Sequence, residues 1–525
     1  MAAEQPLLPP QPGLARSAGI LALGNVASRA LGLAREMVIS DLFGAGGLVS
    51  AFRVASIVPT MLYDLLIGGL LSAALVPVLS DYARPQRRRD FGHAAGAILG
   101  LVAAGGGVIV LLLELFAPQV IWLLGGGFAP ELQAVATRSL RILAPAVWCF
   151  LCSGVVTGLL YARHRFTFPA LAAGAFNHGI VLAAPLLASR LQIYSLAVGV
   201  LLGSIIQLTL QLPGLRGSGL RLSLNWRHPA VGRIWRLYLP IAFGLVVTQV
   251  QIAVDRNLAS RTGEQSIAWM QNATTLIQFP LGLVAVAVSL AALPSLSQRW
   301  AAGDRDGYRL TLARGLRLVI VLIFPAAVGL WLLGEPVIRL IFEHGAFGPD
   351  DTLWTNRALL LYLLGLVFAA IDWPLNYAFY AQQDTRTPAL IGVLSVGVYL
   401  AVALALVRRF GMLGLVLADS AKQASHALAM LTLLRRRIGD LSGYGLAGTV
   451  SRAGAATAIM GGGVWLARAA LEKGLKSGTL AELAVVVIGG LVGTMLYFAV
   501  LTLLRAEEAR LLRAEVWRRF RPDAA

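Results

Sequence analysis

The chain has 525 residues, 57% hydrophobic and only 13% charged, with a formal net charge of +18. A soluble domain carries nearer about 25% charged residues, and here apolar runs of about 20 residues, enough to cross the hydrocarbon core, recur along the whole length. These features exclude a soluble enzyme. The absence of short period-two segments excludes a β-barrel, and no basic patch interleaved with aromatics marks a nucleic-acid surface, so no nucleic acid is expected as a partner.

The composition predicts an all-α polytopic membrane protein with about fourteen spans. They centre near Leu33, Leu65, Ala104, Val147, Ile180, Gly199, Val246, Val284, Val321, Leu364, Val396, Leu417, Met460 and Leu491. The first is too long for a signal peptide and lacks a small-residue cleavage site after its apolar part, so it is expected to stay as a span. Arg84, Arg87, Arg88 and Arg89, then Arg163 and Arg165, Arg216, Arg221 and Arg227, Arg299 and Arg305, Arg386, and Arg435 to Arg437 fall in alternate loops. The intervening loops, including "GGGFAPE" and "FEHGAFGPDD", are poorer in basic residues, although Arg256, Arg261, Arg408 and Arg409 stand near span ends. By the positive-inside rule the first set is cytoplasmic, and an even span count puts both termini there too. Cys149 and Cys152 form a lone CxxC in "WCFLCSG"; with no second pair they read as buried packing residues.

An internal repeat organises the chain. "LVPVLSDY" returns as "ALPSLSQR", with Pro77 matching Pro294, 217 positions on. Val120 and Ile121 match Val337 and Ile338 at the same offset, while Arg138 matches Arg357 and "YARHRFTFPAL" matches "YAQQDTRTPAL" at 219. Each copy holds six spans, so the copies share one orientation. The expected organisation is a cytoplasmic tail over 1–17, a first lobe over 18–215, a cytoplasmic linker over 216–232 and a second lobe over 233–437. Two more helices over 438–505 and a basic tail over 506–525 complete it. Leu511, Leu512, Val516 and Phe520 of that tail can form one face of an amphipathic helix on the anionic cytoplasmic leaflet; a solvated, frayed tail is the alternative.

In duplicated transporters the substrate site lies between the lobes. An arginine at a span centre costs about 2.5–3.5 kcal/mol, so Arg29 and Arg35 are candidates for substrate contact, with Glu36 beside them. Arg29 and Glu36 are two turns apart and share a face, whereas Arg35 lies about 120° from Arg29. Gly24, Gly32, Gly44 and Gly46 allow local unwinding or bending that turns both guanidiniums toward a central water-filled cavity; snorkelling or a structural pair with Glu36 is the alternative. Arg53 and Asp64 in the second span form a further expected charged pair. Arginines facing a cavity imply an anionic, phosphate-bearing substrate. No Walker A or zinc signature is present, so no cofactor is expected and the driving force is an ion, potential or substrate gradient. Asp255, Asp372 and Asp419 are candidates for H⁺ or Na⁺ coupling, against an internal Asp419–Lys422 pair and interfacial positions for the others. His178, next to Asn177, reads as a packed, hydrogen-bonded residue.

"SRALGLAREMVISDLFGAG", "AFRVASIVP" and "SAALVPVLSDY" resemble the start of the MurJ/MviN family of lipid II flippases, within the multidrug/oligosaccharidyl-lipid/polysaccharide exporter superfamily. "WMQNATTLIQFPLGLVAVAVSLAALPSLSQRWAAGD", "FEHGAFGPDDT" and "FYAQQDTRTPAL" extend the resemblance to about Arg437. It implies a fourteen-helix fold, movement of an undecaprenyl-pyrophosphate-linked peptidoglycan precursor across the inner membrane, and a lipid-tail groove lined by the last two helices. The family's two first-helix arginines fall on Arg29 and Arg35, with the following acid at Glu36. Three charges of the family's second span fall on Ser50, Tyr63 and Gly68. The eighth-span Asp-Arg and Glu fall on Thr274, Thr275 and Gln278, while Arg53 is a charge that the pattern does not require. The resemblance therefore implies a substrate site of Arg29, Arg35, Glu36, Arg53, Thr274, Thr275 and Gln278, with its positive charge concentrated on the first lobe. Weak or no rescue of a flippase-depleted bacterium is the expected consequence. The sequence-level alternatives are an exporter of another anionic lipid-linked glycan or amphiphile, and a non-transporting scaffold for envelope synthesis. A monomer among membrane lipids is expected.

Overall fold

The computed structural model describes residues 12–68, 74–83, 88–475 and 478–509. Leu511, Leu512, Val516 and Phe520 of the expected amphipathic tail lie outside the described residues. Every regular element among the described residues is helical, and they divide between Ala268 and Trp269 into two compact units.

The first unit holds α1 (Pro12–Phe43), α2 (Gly47–Tyr63) followed by a π-helical turn (Asp64–Gly68), and α3 (Val76–Tyr82). It continues with α4 (Arg88–Gly125), α5 (Pro130–Ala162), α6 (Thr167–Leu191), α7 (Tyr194–Gln211) and α8 (Pro229–Ser260). Helix α5 is its centre: Leu140, Leu143, Val147, Val155 and Leu159 are fully buried, as is Cys152 almost completely. Helix α1 packs on α6, and α6 on α7. The α6–α7 contact is backbone on backbone, because a Cβ at Gly179 would collide with the Gly199 carbonyl and the Gly203 amide. Helix α4 kinks at Phe116 (φ −102°, ψ 16°), two residues before Pro118, which cannot donate to the preceding turn. Helix α8 bends by 58° between Pro229–Leu239 and Gly244–Ser260.

The linker after α7 lies along α4. Gly92, Gly96 and Gly100 form a stripe on which any Cβ would strike the carbonyls of Gly219, Arg221 and Ser223. Four helical residues rise about 6 Å and two extended residues about 6.6 Å, so the two periods stay in step over this length. The Ser223 amide donates to the Gly96 carbonyl at 3.2 Å.

The second unit runs through α9 (Ser266–Pro280, whose first turn precedes the division), a π-helical turn (Leu281–Val286), α10 (Ala287–Ala301), α11 (Arg305–Phe342) and α12 (Pro349–Ala381). Then follow α13 (Arg386–Phe410), α14 (Met412–Ile438), α15 (Leu446–Gly474) and α16 (Thr479–Leu503). Helices α15 and α16 are tied to α11 at both ends. At one end Arg339 bridges Glu335 (2.7 Å) and Glu482 (3.1 Å), while Arg468 meets Glu335 (3.2 Å) and Glu472 (2.6 Å). At the other, Arg317 meets Glu507 (2.7 Å) and Glu508 (2.5 Å).

The repeat is written into the element boundaries. α1 and α8, and α4 and α11, begin and end 217 residues apart; α5 and α12, and α6 and α13, do so at 219. The two π turns start at Asp64 and Leu281, again 217 apart. Left-handed backbone recurs at His164 and Gln383, and at Gln192 and Gly411, both 219 apart. Taking α2 with α3 and α9 with α10 as single broken spans, the sixteen α-helices make fourteen successive rods among the described residues. Ten are long and apolar enough to cross a membrane on their own, or eleven with the bent α8. Helix α14 is not among them: Asp419, Lys422, Gln423, Ser425 and His426 dilute its apolar run.

The α12–α13 turn is held by Asp384. Its carboxylate accepts from the Thr387 amide (3.0 Å) and hydroxyl (2.7 Å) and from Arg437 Nη1 (2.7 Å). Burial pushes this carboxyl up, but the Thr387 and Arg437 bonds outweigh it and hold the pKa down to about 2. A depressed carboxylate adds stability that is present above its ordinary value near 3.8 and is lost as pH falls toward the folded value. Hydrogen exchange across 382–387, corrected for its intrinsic pH dependence, is therefore expected to accelerate below about pH 4. Asp384→Asn is expected to exchange fast at every pH.

Candidate functional site

In the first unit Glu36 is the hub of a charged cluster. It lies on the buried side of α1, 1% exposed. Its Oε1 accepts from Arg35 Nη2 at 2.6 Å and Nε at 3.2 Å, and its Oε2 accepts from Arg53 Nη2 of α2 at 2.7 Å. Arg35 Nη1 donates to Asn177 Oδ1 of α6 at 3.2 Å, and Asn177 Nδ2 donates back to the Ser28 carbonyl of α1 at 3.1 Å. The Arg35 guanidinium also stands 5.6 Å from the centre of the Phe176 ring. One carboxylate thus joins two guanidiniums and helps tie α1, α2 and α6 together. The charge of Arg256 on α8 also reaches Arg53. An isolated carboxylate at this burial would cost several kcal/mol, so the pairing keeps Glu36 tolerable. The surplus is positive.

The two guanidiniums differ in access. The Arg35 side chain is 24% exposed and that of Arg53 only 8%. Arg29 is exposed, six residues upstream on another face of α1. The expected unwinding does not occur: α1 is helical from Pro12 to Phe43. An unbroken helix leaves Arg29 and Arg35 on different faces because six residues advance it by about 600°. The expected Arg53–Asp64 pair is also replaced. Arg53 takes Glu36, while Asp64 stands exposed at the start of the π turn.

The remaining sequence-level candidates are distributed as follows. Ser50 is buried and its Oγ accepts from the Ala268 amide at 3.3 Å. Tyr63 makes an edge contact with Phe150. Thr274 and Thr275 are half-buried on α9, with both hydroxyls folded back onto the Gln271 carbonyl at 2.9 Å, and Gln278 is exposed one turn on. Gln271, Thr274, Thr275 and Gln278 thus form a neutral polar stripe on one side of α9. Asp255 is half-buried on α8. Asp419 meets Lys422 at 3.5 Å, and the His178 ring bonds the Gly174 carbonyl of its own helix at 3.0 Å. Asp372 on α12 has His426 Nδ1 at 2.7 Å from Oδ1, and Asn376 Nδ2 donating to Oδ2 at 2.7 Å.

Sequence reasoning missed His426, Asn177 as the partner of Arg35, and Arg256 as a neighbour of Arg53. His426 had a signal, since it stands four and seven residues after Lys422 and Asp419 and shares their face. Its partner, 54 residues away on another helix, had none.

Helices α11, α12 and α15 enclose an apolar groove of about 780 Å³, lined by Phe324, Val328, Trp331, Leu363, Phe368 and Trp465 among others. Among the described residues no group of three or more His, Cys, Asp or Glu is placed to hold a metal ion.

Comparison with known proteins decides what this assembly belongs to. The family model described as "Lipid II flippase MurJ" matches residues 39–486. The chain belongs to the MurJ family. A probable lipid II flippase MurJ of Vibrio cholerae is 31% identical over 400 residues, 73% of this chain and 75% of that protein. The lipid II flippase MurJ of Burkholderia cenocepacia is 31% identical over 423 residues, 78% of this chain and 81% of that protein. In fold, the chain resembles a solved lipid II flippase MurJ in an inward closed conformation, with a TM-score of 0.77 and 24% identity over 92% of this chain and 99% of that one. MurJ membership and the long apolar helices make this a multi-pass transporter of the inner membrane, not an enzyme.

Proposed function

We propose that the chain moves lipid II, or a close polyprenyl-pyrophosphate-linked relative, across the inner membrane by alternating access. It acts as a monomer with both termini in the cytoplasm, as the arginine-rich loops indicate. The observation that carries the reading is the Arg35–Glu36–Arg53 cluster in a member of this family.

A pyrophosphate competes with Glu36 for the accessible guanidinium. Arg35 can exchange its carboxylate for a phosphate and keep a bidentate, charge-assisted geometry. Arg53 holds Glu36 in place during that exchange, so the pair positions Arg35 rather than binding substrate. Arg29 supplies a second exposed cation. Thr274, Thr275 and Gln278 offer neutral hydrogen bonds to sugar or peptide. The apolar groove of α11, α12 and α15 suits a polyprenyl tail, which gains about 25 cal/mol per Å² buried from water only at the moments it leaves lipid. Asp255, Asp372 and Asp419 are the candidates for H⁺ or Na⁺ coupling, with no bound cofactor.

The neutral stripe on α9 favours one second reading, an exporter of another anionic lipid-linked glycan. A flippase-depleted bacterium separates the two. Full rescue by the unmodified chain assigns lipid II. Weak rescue, restored by Thr275→Arg with Thr274→Asp and Gln278→Glu, assigns the other glycan. A scaffold, by contrast, should survive alanine at both Arg29 and Arg35.

A further inference from the structure

His426 stands at the middle of α14 and has no part in binding substrate in the account above. Its Nδ1 lies 2.7 Å from Asp372 Oδ1, and the two side chains are only 14% and 16% exposed. The other carboxylate oxygen is occupied by Asn376. Neutral His426 therefore donates from Nδ1 to the carboxylate and leaves its lone pair on Nε2.

The surrounding charges can be counted. On α14, Asp419 and Lys422 share the face of His426 and meet each other at 3.5 Å. On α12, Tyr380 feels the charge of Asp372, and Tyr377 adjoins Tyr380. Helix α10 and the π turn before it carry no titratable side chain except Arg299, which is bonded to Asp304. From α11, Tyr308 donates to the Ala378 carbonyl and Arg314 is exposed. On α13 the one titratable residue between Arg386 and Arg408 is Tyr399. With His426 neutral, the buried His426–Asp372 pair carries the one negative charge of the carboxylate. A single proton on Nε2 makes it neutral, the state that a low-dielectric interior favours.

We propose that His426 is a proton-binding site of this transporter, taking one proton at Nε2, with Asp372 as the positioning residue that fixes its tautomer. The inference rests on the flippase reading for its transport consequence, and it names the coupling ion as H⁺. Protonation turns a hydrogen bond already assisted by the carboxylate charge into a full ion pair between α12 and α14. It does so next to Pro374, which leaves the Ala370 carbonyl without its helical donor. The attachment of α14 thus tightens where α12 is easiest to bend.

Two measurements test this separately. In ¹⁵N-imidazole NMR of the full chain in lipid nanodiscs, the His426 resonance is assigned by its loss in His426→Gln. On acidification it is expected to move from the position of a neutral imidazole to that of a protonated one, and a resonance that does not respond to pH overturns the proposal whatever the transport result. In vesicles containing lipid II, an imposed pH gradient is expected to change the flipping rate severalfold. His426→Gln and Asp372→Asn should each lose that response. A gradient response retained in His426→Gln also overturns the proposal. If the unmodified chain moves no lipid II under any gradient, the flippase reading fails, and the NMR still decides the proton site.

Discussion

Arg35→Ala is expected to abolish flipping while leaving membrane insertion and the fold intact. Arg35 is the more accessible of the two arginines on Glu36, and its removal leaves the buried Glu36–Arg53 pair at 2.7 Å. Insertion should improve slightly, because a guanidinium leaves a spanning helix. The transport loss is larger. A hydrogen bond to a charged group contributes about 1.5–3 kcal/mol, so losing a bidentate contact to pyrophosphate should slow flipping by at least about a hundredfold. Arg35→Lys should recover only part of the rate, since an ammonium cannot bind two phosphate oxygens in a planar fork. Flipping rates in vesicles and membrane-fraction yields measured together check this. A normal rate in Arg35→Ala contradicts the assignment, and absent protein would make the residue structural.

Glu36→Gln should have the largest effect on stability. It takes the carboxylate away from the guanidinium of Arg53, 8% exposed, which stays within reach of the like charges of Arg35 and Arg256. Breaking a buried pair from one side typically costs about 3–5 kcal/mol. Removing both members costs less, so the double variant Glu36→Gln with Arg53→Met should regain much of the loss. Thermal unfolding in nanodiscs should rank the unmodified chain first, the double variant next and Glu36→Gln last. Equal stability for Glu36→Gln and the unmodified chain would show that Glu36 does not neutralise Arg53.

The helices and the duplication were legible in the sequence because both leave local signals. Apolar runs mark the spans, and matched prolines and arginines repeat at 217 and 219, the offsets at which helix ends and π turns also recur. Interaction partners were far less legible. The charge of Arg53 was read from sequence, but the distance to Glu36 along the chain is 17 residues, with no periodicity to connect them. Proximity in sequence instead suggested Asp64, which the turn of α2 into its π-helical end leaves exposed. The glycines of α1 suggested unwinding, yet a glycine costs a helix only about 1 kcal/mol, and packing against α6 outweighs that. Gly92, Gly96 and Gly100 were unread because their purpose is to admit a backbone more than a hundred residues away.

The central claim is that this chain carries a pyrophosphate-linked lipid from one leaflet to the other. The direct measurement is made in sealed vesicles reconstituted with the unmodified full chain and lipid II, following with time the fraction of lipid II that an externally added, membrane-impermeant reagent can modify. The account predicts that this fraction climbs beyond the outer-leaflet pool in vesicles containing the chain, and stays at that pool in protein-free vesicles and in those carrying Arg35→Ala. A fraction that stays at the outer-leaflet pool with the unmodified chain present, or one that climbs equally with Arg35→Ala, would contradict it.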